Sequence, residues 1–149
     1  GTLVQQWGID PFRNRLACEA AQAGSRIILS PSSRIYLDMK YHPGTEIGLD
    51  WAGMVDVREA YNWEPETLMP NLPEEAILGL EAALWTETIR QRTDLEFMTF
   101  PRLPGIAEIA WSPKEGRACE EYRVRLAVHA RRWREQGVNF YPSTQVDWA

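Results

Sequence analysis

Two short stretches carry residues of the types and spacing that bind a sugar. Trp85-Thr86-Glu87 sets an indole two residues from a carboxylate, and Tyr36-Leu37-Asp38 does the same with a phenol. In an extended chain, residues two apart point to one side. An indole packs on the C–H faces of a pyranose ring, and a carboxylate accepts hydrogen bonds from its hydroxyls. The plainer alternative for the first pair is a core tryptophan followed by a helix-capping glutamate. Other chemistry is poorly supported. His42 and His129 are not spaced with each other, or with Cys18 and Cys119, as metal ligands are. Two distant cysteines make no disulfide framework and read as buried free thiols.

Parallel strands are what would position such groups. The segment from Ile77 to Glu87 opens as the apolar run of a buried strand and ends on Trp85 and Glu87. Thr2–Trp7 reads as a short strand broken by Gly8-Ile9-Asp10-Pro11. Arg13–Ala23 reads as a helix with a small-residue face, stopped by Gly24. Arg26–Leu29, with three consecutive apolar residues, suits a strand covered on both faces. Strand, helix and strand in succession are a βαβ signature. Loop-like sequence follows from Met39 to Gly53, then a short helix over Val55–Tyr61 capped near Asp56. Long loops after parallel strands are where α/β proteins place function.

Farther on, Arg90–Phe100 is helix-like, and Pro101-Arg102-Leu103-Pro104-Gly105 interrupts it before an apolar pattern resumes at Ile106–Trp111. Arg117–Gln136 is the longest helix, closed by Gly137. Cys119, Tyr122, Leu126, His129 and Trp133 form its apolar stripe, which makes His129 a packed histidine. Val138–Tyr141 reads as a last short strand. Trp63, Trp133 and Trp148 read as structural, and Arg102, Glu108 and Trp111 as helix packing with a buried ion pair.

The chain has 149 residues, 44% of them hydrophobic and 25% charged, which is the composition of one globular domain. A net charge of -5 argues against a nucleic-acid partner, which demands a basic footprint. No run reaches the roughly 18 apolar residues of a membrane-spanning helix. The N-terminal residues lack the basic and apolar regions of a signal peptide. The chain opens directly in strand-like sequence, so a fragment of a longer protein is expected, and its localisation stays open. Three βα units leave two open strand edges, which proteins avoid, and match the second half of an eight-fold βα barrel.

Several stretches together resemble glycoside hydrolase family 20, the β-N-acetylhexosaminidases. They are Tyr36-Leu37-Asp38-Met39-Lys40-Tyr41, Gly48-Leu49-Asp50-Trp51-Ala52-Gly53, Gly79–Glu87, and Phe100–Pro104 with Ala107–Ser112. The likeness runs from about Val4 to Trp148. It implies an α/β fold, the C-terminal portion (about three βα units) of a (β/α)8 TIM barrel, with residues 1–149 forming a partial catalytic domain. It also implies hydrolysis of terminal β-linked N-acetylglucosamine or N-acetylgalactosamine by substrate-assisted, retaining catalysis. There the acetamido oxygen attacks C1, a glutamic acid protonates the leaving oxygen, and a neighbouring aspartate orients the acetamido N–H.

By the same resemblance, Tyr36 positions the acetamido oxygen. Asp38 and Glu87 bind sugar hydroxyls towards C4 and C6. Trp51 and Trp85 wall the acetamido methyl and the ring, and Trp7 adds a further pocket wall. The family's catalytic Asp-Glu dipeptide and its sugar-binding arginine lie on earlier strands, and no Asp-Glu dipeptide occurs here. The chain alone is therefore expected to be inactive. Implied partners are N-acetylhexosaminide glycans or chitooligosaccharides and the missing N-terminal part of the barrel. Pairing between copies through the open edges is also expected. No metal or organic cofactor is implied. A lectin-like binding module and a self-associating structural fragment are the competing readings. The choice between gluco and galacto substrates stays open.

Overall fold

The computed structural model describes residues 1–8 and 10–148. Ile9, in the expected break after the first strand, lies outside them. Three parallel strands form one sheet in the order β1 (Leu3–Gln6), β2 (Arg26–Leu29), β3 (Ile77–Leu80). Leu3 to Gln6 pair in register with Arg26 to Leu29, and β2 pairs with β3 through Ile27–Ile77, Ile28–Gly79 and Leu29–Leu80. All three strands therefore end at one edge of the sheet. β2 is central, with Ile27 and Leu29 fully buried.

Helix α1 (Pro11–Gln22) connects β1 to β2. It starts two residues earlier than the apolar pattern predicts. Asp10 caps it by accepting from the Arg13 N–H at 2.9 Å, and Pro11 occupies the first turn, where no donor is lost. Its small residues Ala17, Cys18 and Ala21 pack on Ile27 and Leu29, with Met69, Leu72 and Ala76 closing the cluster. Gly24 ends it at φ 90°, a conformation that costs glycine little.

The β2–β3 connection holds two short helices, α2 (Ser32–Ile35) and α3 (Val57–Tyr61), the latter capped by the predicted Asp56. After β3 come α4 (Arg92–Thr99), α5 (Arg102–Trp111) and α6 (Cys119–Glu135). A second core joins Ile35, Leu37, Val57, Tyr61, Ile106, Ile109, Tyr122, Leu126 and Trp133. No helix among the described residues is long and apolar enough to cross a membrane.

Several expectations change. The third strand stops at Leu80, so Trp85 and Glu87 lie in the loop beyond it, not in a strand. Pro104 and Gly105 do not break α5; the proline sits in its first turn. A Cβ on Gly105 would lie 2.8 Å from the Tyr122 hydroxyl, so this glycine lets α5 approach the stacked Tyr61 and Tyr122 rings. Val138–Tyr141 forms no strand; the Tyr141 N–H donates to the Phe100 carbonyl at 3.0 Å. His129 is exposed and lies against the Trp133 ring at 5.7 Å rather than in the core. Cys18 is buried, as expected, but Cys119 is only half-buried. Arg102 makes no ion pair with Glu108, which bonds to Tyr61 and Arg125, and Trp111 is 89% exposed.

Candidate functional site

Trp7 follows β1, Tyr36 and Asp38 follow β2 through α2, and Trp85 and Glu87 follow β3. Because the strands are parallel, all of these leave the same edge of the sheet. Trp51 joins them from the loop between α2 and α3. An open cleft of about 440 Å³ is lined by Gln5, Trp7, Tyr36, Asp38, Leu49, Trp51, Trp85 and Glu87. The six residues singled out in the sequence thus meet at one place. Gln5 and Leu49 were not foreseen; Gln5 donates to Glu81 at 2.5 Å and so ties β1 to the segment after β3.

Backbone pairing continues past the strands and holds the cleft together. Tyr36 bridges Ala83 in parallel, and the Leu37 N–H donates to the Ala83 carbonyl at 2.7 Å. The tyrosine turn is therefore fastened to the loop that carries Trp85. Met39 bridges Leu49 in turn, with the Leu49 N–H donating to the Asp38 carbonyl at 2.8 Å. Gly48 makes that approach possible. It sits at φ 99°, and a Cβ there would lie 2.9 Å from the Asp38 carbonyl oxygen and 2.7 Å from Met98. Its N–H donates to the Thr88 hydroxyl at 2.9 Å, which links the Trp51 loop to the Glu87 loop.

Three rings form a wall. The Tyr36 ring meets Trp51 edge-on at 6.0 Å and lies tilted to Trp85 at 6.5 Å. Trp51 and Trp85 are 52% and 54% exposed, which is unusual surface for an indole to leave to water. Trp7 is held by the Arg13 guanidinium, 4.2 Å above its ring. Asp38 is only 1% exposed, and neither of its carboxylate oxygens completes a hydrogen bond. Burial raises its pKa above the usual aspartate range. The N–H groups of Asp38 and Trp85 and the charge of Arg102 oppose that rise, and Glu87 adds to it. The Tyr36 hydroxyl is also raised, first by burial, with its contact to Trp85 working the other way.

These groups can grip a polar ring with apolar faces. The indoles offer stacking surface, Tyr36 offers a donor, and Asp38 and Glu87 offer acceptors. They are the only two carboxylates lining the cleft among the described residues. No cluster of three or more potential metal ligands is found among those residues.

Comparison with known proteins gives one consistent result. The model of the glycosyl hydrolase family 20 catalytic domain matches residues 1–114. A β-N-acetylhexosaminidase of Cellulomonas fimi is 45% identical over 99% of this chain and 30% of its own length. A mutant Streptomyces plicatus β-hexosaminidase, solved with the product GlcNAc, superposes with a TM-score of 0.97 at 47% identity. That match covers 100% of this chain and 30% of the other. The family 20 β-N-acetylhexosaminidase of Streptomyces coelicolor A3(2) gives the same score and identity, over 31% of its chain. The chain thus spans about 30% of the length of these relatives. Its three parallel strands and their helices are part of that catalytic fold, and the chain belongs to glycosyl hydrolase family 20.

Proposed function

We propose that this chain supplies the sugar-binding wall of a β-N-acetylhexosaminidase, with residues 1–149 forming a part of the catalytic barrel. In this reading Trp51, Trp85 and Trp7 enclose the acetamido group and the ring. Tyr36 donates to the acetamido oxygen and orients it for attack on C1. Asp38 and Glu87 accept from hydroxyls at the far side of the sugar. The general acid and the acetamido-orienting aspartate come from barrel units that this chain does not contain. The open edges of β1 and β3 are where those units pair, or where a second copy pairs in their absence.

One observation carries the reading: aromatic and carboxylate residues from three separate strand ends converge on one cleft. Orientation of this kind supplies several kcal/mol of barrier reduction in enzymes, up to about 7–11 kcal/mol. General acid catalysis adds typically about 10²–10⁴-fold.

The test is hydrolysis of a chromogenic aryl N-acetyl-β-glucosaminide, with tryptophan fluorescence to follow N-acetylglucosamine binding. This chain alone is expected to show no turnover. Supplying the upstream barrel units restores it, and Tyr36→Phe or Glu87→Gln then lowers it. Turnover by the chain alone, proportional to its concentration, would overturn the proposal and make Asp38 and Glu87 the working carboxylates. Binding without turnover in the completed barrel would make the cleft a lectin-like module.

A further inference from the structure

Arg102 opens α5 directly after the cis Phe100–Pro101 bond and is 1% exposed. A buried cation is costly unless its surroundings replace the water it loses. Here no carboxylate lies within ion-pair distance of it among the described residues. Backbone carbonyls take that place. Nη1 donates to Met39 at 2.7 Å and Val55 at 2.9 Å, and Nη2 to Leu37 and Met98, both at 2.5 Å. The Tyr41 ring lies 3.9 Å from the guanidinium carbon. Leu37 and Met39 are the two residues on either side of Asp38. One rigid fork therefore donates to the carbonyl just before Asp38 and to the carbonyl of the residue just after it. A lysine cannot do this, because its ammonium is a point charge without the planar fork.

We propose that Arg102 is the positioning residue for Asp38: its guanidinium, buried behind the cleft, fixes the turn that presents the carboxylate to a sugar hydroxyl. The sugar in that statement rests on the function proposed above. The arrangement also answers an electrostatic need. Asp38 faces Glu87 from the loop after β3, Tyr36 from its own turn and Arg102 from α5, and Tyr41 and Asp56 also act on Arg102. Only Arg102 among these carries a charge that favours the ionised carboxylate.

The test needs no sugar, so its failure is separable from failure of the sugar-site reading. Amide hydrogen exchange and the Asp38 carboxyl-carbon NMR titration are measured on the whole chain and on Arg102→Lys and Arg102→Gln. In both variants the Leu37, Met39 and Lys40 amides are expected to exchange about tenfold faster relative to the sheet amides of Ser30 and Glu81. In Arg102→Gln the Asp38 midpoint rises, whereas in Arg102→Lys it stays near that of the unsubstituted chain. Equal acceleration at all five amides, or an unmoved Asp38 midpoint in Arg102→Gln, overturns the proposal. Should either variant fail to fold, the unsubstituted chain still decides. Its Arg102 side-chain nitrogens must show an inflection at the Asp38 midpoint that disappears in Asp38→Asn. Absence of that inflection also overturns it.

Discussion

Six of the seven tryptophans divide between two regions, and the division separates packing from the proposed binding cleft. In the helical core of α3, α5 and α6, Trp63 is 8% exposed and donates to the Ala60 carbonyl at 3.0 Å. Trp133 is 6% exposed among Phe100, Phe140 and Trp148, and Trp148 donates to the Ser143 carbonyl at 2.8 Å. Polar groups there are matched to one another: the Tyr61 hydroxyl donates to Glu108, which also accepts from Arg125. The cleft is built the other way. Trp7, Trp51 and Trp85 keep 39%, 52% and 54% of their surface open, and the buried Asp38 oxygens lack completed hydrogen bonds. Hydrogen-bonding capacity left over inside a fold is costly, so it marks a place where something else completes it. Exposure alone is not the criterion. Trp111 is the most exposed indole and does not line the cleft.

The sharpest way to break this comparison is to delete one indole from each region. Trp133→Ala should cost about 3–5 kcal/mol of stability, because it empties the centre of an aromatic cluster. Trp85→Ala should cost under about 0.5 kcal/mol in stability, as surface changes do, while N-acetylglucosamine affinity in the completed barrel falls. Denaturant unfolding and sugar titration read the two effects. Equal destabilisation by both would make Trp85 a packing residue and remove the distinction.

Gly48→Ala comes next. Its φ of 99° disfavours any Cβ, and the added carbon would press on the Asp38 carbonyl and Met98. A loss of about 2 kcal/mol is expected from strain and close contact together. The same unfolding measurement reads it. If the two cleft loops are coupled as the Gly48–Thr88 bond implies, Trp51 fluorescence changes as well. An unchanged Trp51 environment would mean that its loop stands independently of the glycine.

How much of this was legible in the sequence depends on the range over which each cause acts. β2 was read residue for residue, because Ile27-Ile28-Leu29 between Gly24 and Ser30 is a local signal. The start of α1 was missed by two residues, although Asp10-Pro11 is itself a start signal. The cleft residues were found by their types and by family resemblance, yet the geometry first argued for Trp85 and Glu87 was a strand, and they sit in a loop. Asp38 was legible as a candidate sugar ligand but not as a buried carboxylate lacking completed hydrogen bonds. Arg102 and Gly48 were not legible as supports for the site. Both act on the backbone of the Asp38 segment, Arg102 across 65 positions of sequence to Leu37, and no periodicity records a carbonyl partner. His129 satisfied the helical spacing but falls at the margin of the buried stripe, where Leu126 and Ala130 face inward instead.

The smallest effect tests the cost of the cleft most directly. Burial holds the Asp38 carboxyl above its ordinary range, with Glu87 adding to the shift and Arg102 opposing it. Such a group binds more protons in the folded than in the unfolded chain, so stability falls as pH rises through the window between its two values. Glu96 behaves oppositely: its hydrogen bonds from the Asn139 N–H and Arg92 lower it, and its stabilisation is lost as pH falls through its folded value. Glu108 joins it, because the bonds from Tyr61 and Arg125 outweigh burial. Asp38→Asn removes a penalty that grows with pH at the cleft. A buried amide costs less to desolvate than a carboxylate, so the variant should be more stable near neutrality by about 1 kcal/mol. The gain should shrink towards acid pH, as the native carboxyl takes up its own proton. Sugar affinity in the completed barrel should fall at the same time, since the ionised acceptor is gone. Thermal unfolding from acid to neutral pH checks the first part and sugar titration the second. A variant that is less stable at every pH would show that Asp38 supports the fold, and the contrast between the two regions would then fail at its most buried residue.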